Sequence, residues 1–133
     1  EPKRLARLGY LEARKEPGKT RERTVYSLTD KGLAAVREYA ATPVRFQPLK
    51  SDMLLRLLIA DLAGEEVTRE SIGTLREDLA ELYERIDEAD ARADALPHRS
   101  KYLRLTNGFL RRLLDLHEEW IEEVERRLDG RGA

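Results

Sequence analysis

Residues 5–32 read LARLGYLEARKEPGKTRERTVYSLTDKG. Leu5 and Leu8 stand three apart with Arg4 and Arg7 on the other side, the spacing of a helix that turns one face inward. Gly9 falls where a left-handed residue ends a helix. Two short runs of strand character follow, Leu11 to Lys15 and Arg23 to Leu28, and Pro17-Gly18 between them is a turn signal. In the second run Tyr26 and Leu28 fall on one face, Val25 and Ser27 on the other. Thr29 then offers its hydroxyl to the first turn of a new helix, and Asp30 suits that helix's positive end. Leu33, Val36 and either Tyr39 or Ala40 form its inward stripe. The order is helix end, basic hairpin, helix start, and the rest of the chain reads almost entirely as helix.

Thr42-Pro43 closes the new helix, because proline disfavours helical geometry in the residue before it. The connector that follows sets the expected boundary between a portion 1–42 and a portion 43–133. Pro48 suits a first helical position. Leu54, Leu55, Leu57, Leu58, Ile59 and Leu62 then make a helix apolar over more than half its circumference, expected to be buried on several sides and to end at Gly64. Thr68 is read as the cap of a helix reaching about Leu96, ahead of Pro97. Along it Ile72, Leu75, Leu79, Leu82, Ile86, Ala89, Ala93 and Leu96 alternate spacings of three and four, a heptad seam. The last helix is expected from about Arg99 to Leu128, with Leu103, Leu110, Leu113, Leu114, His117, Ile121, Val124 and Leu128 in its stripe and Trp120 at the margin. Asn107-Gly108 interrupts it, at about 1 kcal/mol for the glycine, and predicts a kink or fraying. Asp129 to Ala133 reads as a tail.

Composition narrows the function classes. With 41% apolar and 38% charged residues among 133, the chain suits long solvated helices with narrow apolar seams. There is no cysteine, hence no disulfide or thiolate metal site. No apolar run approaches the roughly 18 residues of a membrane helix, and no signal-peptide pattern is present, so a cytoplasmic protein is expected. The net charge of −1 conceals an asymmetry: residues 1–50 hold 12 Lys/Arg against 6 Asp/Glu, residues 51–133 hold 13 against 20. A basic front points to an anionic partner. The chain opens on Glu1-Pro2 with a helix near its end, from which a preceding piece is expected.

Catalysis finds no foothold. His117-Glu118-Glu119-Trp120-Ile121 falls short of the zinc motif, which needs a second histidine where Ile121 stands. His98 reads as a loop residue, and the carboxylates from Glu65 to Asp94 as a solvated face of i,i+4 pairs with arginine. No catalytic residue, metal or cofactor is expected. The basic hairpin is the better candidate. Lys3, Arg4, Arg7, Lys15, Lys19, Thr20, Arg21 and Arg23 are its candidate contacts to double-stranded DNA, since cations on a protruding hairpin can neutralise phosphates. The seam and last helix exceed what one short helix can cover, so a homodimer is expected. Its interface candidates are Leu75, Leu79, Leu82, Ile86, Leu110, Leu113, Leu114, His117, Trp120, Ile121 and Val124. The alternative is a helical protein–protein interaction module whose basic hairpin is incidental.

Glu1-Pro2-Lys3-Arg4-Leu5, Leu8-Gly9-Tyr10-Leu11, a charged tip and Val25-Tyr26-Ser27-Leu28-Thr29-Asp30-Lys31-Gly32 together resemble the PadR-type transcriptional regulators. The layout after Pro48, a helix and then two long helices with a late Trp120, is similar to the family's longer-tailed branch. The resemblance implies a mainly α fold with one β-hairpin. In that fold a partial winged helix precedes a long-helix dimerisation domain. It implies a bacterial repressor that leaves operator DNA when a small-molecule effector binds. It places Lys3-Arg4-Leu5 at the end of the recognition helix and Leu11–Leu28 in the wing, with the family's first helices expected upstream of Glu1.

Overall fold

The computed structural model describes residues 1–128; the expected tail lies outside them. Its contacts divide the chain after Pro48 into two units.

The first unit holds α1 (Pro2–Arg7), β1 (Leu11–Glu16), β2 (Arg23–Leu28) and α2 (Asp30–Ala40). Pro2 sits in the first turn of α1, where its missing N–H costs nothing. Gly9 ends the helix at a φ of 86°, a conformation that a Cβ would strain. β1 and β2 pair antiparallel in a two-stranded sheet, with Leu11 opposite Leu28 and Glu16 opposite Arg23. The first strand thus runs one residue past Lys15. Thr29 caps α2 as expected, accepting a 3.0 Å bond from the Gly32 N–H.

On the hairpin Val25 and Tyr26, on opposite sides, are both half-buried while Leu28 is exposed. One expectation for this unit fails. Leu8, Leu33, Val36 and Tyr39 are likewise exposed, so the stripes read as inward lie on this unit's surface. A two-stranded ribbon leaning on two short helices cannot enclose them, and Gly32 is the one fully buried residue.

The second unit is helical: α3 (Asp52–Leu58), α4 (Ala60–Ala63), α5 (Glu65–Gly73), α6 (Leu75–Asp94) and α7 (Ser100–Arg127). Pro48 does not open α3. Ser51 does, its hydroxyl accepting from the Leu54 N–H at 3.4 Å. The run to Leu62 breaks at Ile59, and Leu55, Leu58, Ile59 and Leu62 stay exposed, Leu62 to 85%. Met53 and Leu57 are the α3 side chains that pack on the core instead. Gly64 ends the run, with φ 106°.

Thr68 caps nothing. α5 has already begun at Glu65, and the Thr68 hydroxyl is buried within it, donating to the Gly64 carbonyl at 2.8 Å. The long helix expected up to Leu96 is broken at Thr74 into α5 and α6. α7 fulfils its expected span and does not fray at its middle: it runs unbroken through Asn107 and Gly108. Asn107 there donates from Nδ2 to Asp90 Oδ1 at 2.8 Å, a contact that ties the supposed weak point to α6.

The core lies between α5, α6 and α7, where Ile72, Leu79, Ile86, Leu114, Ile121 and Val124 form one buried cluster. Met53, Leu57, Tyr83 and Trp120 pack against it. Acidic residues of α6 do not pair within their own helix. Asp87 and Asp90 accept from Arg111 at 2.9 and 3.1 Å, Asp94 pairs with Arg104, and Glu125 of α7 takes both terminal nitrogens of Arg76. Facing antiparallel helices offered closer partners than the next turn did. No helix among the described residues is long and apolar enough to cross a membrane.

Candidate nucleic-acid interface

The site in the first unit is built on the junction between α1 and the hairpin. Gly9 and Tyr10 turn the chain, and the Thr29 N–H donates to the Tyr10 carbonyl at 3.2 Å. From that base β1 and β2 project, and residues 17–24 are exposed throughout. Register and length together carry Lys15, Lys19, Thr20 and Arg21 to the outer end of the hairpin.

The eight candidate contacts divide by their partners. Arg4 donates to Glu1 Oε1 at 2.8 Å, and Arg23 lies 3.4 Å from Glu16, which also takes Arg14. Lys3, Arg7, Lys15, Lys19 and Arg21 have no carboxylate partner among the described residues, so the hairpin's outermost cations are uncommitted. The pairs of Arg4 and Arg23 are solvent-exposed, and such pairs hold a side chain by only about 0–1 kcal/mol. A polyanion can therefore recruit those two as well.

The residues that hold this arrangement were not all visible beforehand. Lys31 donates from Nζ to the Leu8 carbonyl at 2.7 Å and lies 4.9 Å from the Tyr10 ring centre. A Cβ on Gly32 would stand 2.1 Å from the Tyr10 carbonyl oxygen. One signal was available in the sequence: a glycine in the first turn of a helix, where propensity disfavours it.

In the second unit the heptad seam separates into two rows. Ile72, Leu79, Ile86 and Ala93 are buried against α7, Leu79 to 2% exposure and Ala93 to 0%. Leu75, Leu82, Ala89 and Leu96 keep surface, Leu82 at 38% and Leu96 at 44%. The interface candidates divide the same way. Leu79, Ile86, Leu114, Ile121 and Val124 are buried in the chain's own core. Leu75, Leu82, Leu110, Leu113, His117 and Trp120 retain surface. Leu82, Leu110 and Leu113 share an open apolar groove of about 280 Å³ between α6 and α7. His117 lines a neighbouring cleft of about 480 Å³, its Nδ1 hydrogen donated to the Leu113 carbonyl at 2.7 Å.

Two carboxylates in this unit are shifted below their ordinary range. The bonds from Arg76 hold Glu125 down, and the bond from Asn107, then that from Arg111, does so for Asp90. Tyr83 is pushed above the ordinary phenol range, by burial first and by donating to Asp115 second.

Comparison with solved structures places this architecture. The Vibrio cholerae virulence activator AphA superposes with a TM-score of 0.65 at 22% identity, over 96% of this chain and 71% of that one. Bacillus subtilis PadR, solved in complex with operator DNA, gives 0.60 at 18% identity, over 96% and 73%. The PadR-like transcriptional regulator BC1756 of Bacillus cereus gives 0.54 at 20%, over 96% and 70%. The fold is the PadR-like one. No protein-family model matches the chain, and no curated protein is similar to it in sequence. In a PadR-like frame the hairpin of residues 11–28 is the wing, and α1 is the helix that leads into it.

Proposed function

We propose that the chain is a DNA-binding transcriptional regulator, a cytoplasmic repressor that holds operator DNA as a homodimer and is released by a small-molecule effector. Residues 1–42 serve as its DNA-binding portion and residues 43–133 as its dimerisation domain. The observation that supports the reading best is the wing, which carries Lys15, Lys19 and Arg21 outward without an acid partner among the described residues, on a frame shared with a regulator solved on operator DNA. Lys3 and Arg7 of α1 supply further cations beside it. Cations at such positions release counterions from phosphates, which sets affinity and register; base reading falls to other groups.

The test is titration of fluorescent duplex DNA at two or more salt concentrations. Lys19→Glu with Arg21→Glu is expected to weaken binding and to flatten the plot of log affinity against log salt by about two, one per lost phosphate contact. Equal affinity and slope in the double variant would remove the wing from the interface. Repression is checked by in vitro transcription from a promoter that the protein binds, where added protein should lower transcript yield.

A further inference from the structure

Several contacts converge where α1 hands the chain to β1. The Thr29 hydroxyl donates to the Gly9 carbonyl at 2.6 Å while accepting from Gly32, and the Tyr10 N–H donates back to Leu5 at 3.0 Å. Gly32 presses its α-carbon against the Tyr10 carbonyl too closely for any side chain. Across the top lies Lys31. Its stem passes the α-carbon of Gly9, its ammonium reaches the Leu8 carbonyl, and the Tyr10 ring lies beneath that charge. Leu8 is the residue that ends α1, where helix carbonyls lack intrahelical donors and a cation is favoured.

A surface lysine on this unit would ordinarily be counted among the phosphate contacts. The geometry instead spends its charge on the protein's own backbone. We infer that Lys31 is a positioning residue for DNA binding: bonded to Leu8 and stacked on Tyr10, it fixes the angle between α1 and the wing, so that the cations of both meet one phosphate backbone together. Thr29 and Gly32 set the same joint from the other side. The inference rests on the DNA-binding reading above for its purpose, and on the contacts themselves for its mechanism.

Two measurements test it separately. The chain has no cysteine, so Lys3→Cys with Thr20→Cys accepts one spin label on α1 and one on the wing tip. The distance distribution between them is expected to be narrow in the otherwise unaltered chain, to broaden with Lys31→Met and to narrow again with Lys31→Arg, whose guanidinium can donate to the same carbonyl. In DNA titrations without labels, Lys31→Met is expected to weaken binding about threefold to tenfold, the scale of one charged hydrogen bond partly exposed to water. The salt slope should stay unchanged and Lys31→Arg should recover the affinity. A slope that falls by about one would make Lys31 a phosphate contact and overturn the inference. So would an unaltered distance distribution. If even the unsubstituted chain fails to bind DNA, the DNA-binding reading is what fails, and the label distances alone decide whether Lys31 sets the joint.

Discussion

At the scale of single residues, two glycines make opposite demands. Gly32 sits where a Cβ would stand 2.1 Å from the Tyr10 carbonyl, so Gly32→Ala must push α2 away from the hairpin. Overpacking of that kind costs about 1–3 kcal/mol, to be read from urea denaturation followed by tyrosine fluorescence of the first unit. Gly108 has nothing within 4 Å of an added Cβ and lies inside a continuous helix. Gly108→Ala is therefore expected to stabilise the second unit by about 0.5–1 kcal/mol, the helix-propensity difference, visible as a higher urea midpoint by Trp120 fluorescence. The two glycines look alike in a sequence. What separates them is the backbone oxygen near one and the empty space beside the other, and neither is written in the neighbouring letters.

At the scale of elements, most of the first unit could be read directly. Gly9, Pro17-Gly18, Thr29 and Thr42-Pro43 act through local backbone chemistry, so the hairpin and both its helices fall close to where those residues put them. The second unit was less legible because its signals are degenerate. Both rows of the heptad seam are equally apolar, and only the packing of α7 decides that Leu79 is core and Leu82 is not. Thr68 looked like a cap because threonine before an apolar run usually is one; inside α5 it bonds the preceding turn instead. The carboxylates failed similarly, since i,i+4 spacing is readable and a partner on another helix is not. Those partners give the α6–α7 pair a pH dependence. Glu125 and Asp90 are depressed in the folded state, so their contribution is complete above the unfolded carboxylate pKa of about 4 and is lost as pH falls through the lower folded values. Urea midpoints of the second unit should be level from pH 7 to about 5 and fall below about 4. Glu125→Gln should make that fall shallower, and an unchanged acid limb would show that Arg76 does not hold the carboxylate in solution.

At the scale of the whole molecule, the two rows of the seam predict two different phenotypes. Leu79→Ala removes a side chain enclosed by the core and should cost about 2–5 kcal/mol of stability, read from the same urea titration. Leu82→Glu with Leu110→Glu changes surface on the open groove and should leave the monomer folded by circular dichroism. Sedimentation velocity is then expected to show a dimer for the unsubstituted chain and a monomer for this pair. A dimer that survives both substitutions would move the interface away from the groove. That the cations of the hairpin tip lie at the surface was legible, because charge on a turn needs no tertiary information. The joint that aims them was not, because a lysine bonded to a helix end and a lysine facing water carry the same letter.

The charged contacts across α6 and α7 have one more consequence. The apolar ladder repeats every seven positions, so sliding one helix past the other by a single repeat would refill much the same core. The ions would follow in part: Asp87 and Asp94 stand seven apart on α6 and Arg104 and Arg111 seven apart on α7, so a slide of one repeat makes one of those pairs again. The bond from Asn107 to Asp90 would not follow, because the residues seven from Asp90 are Tyr83 and Pro97. The hydrophobic rungs measure how tightly the two rods are held, while that amide–carboxylate bond acts as a key to their alignment. Exchanging Asn107 for leucine would leave every rung in place and remove the key.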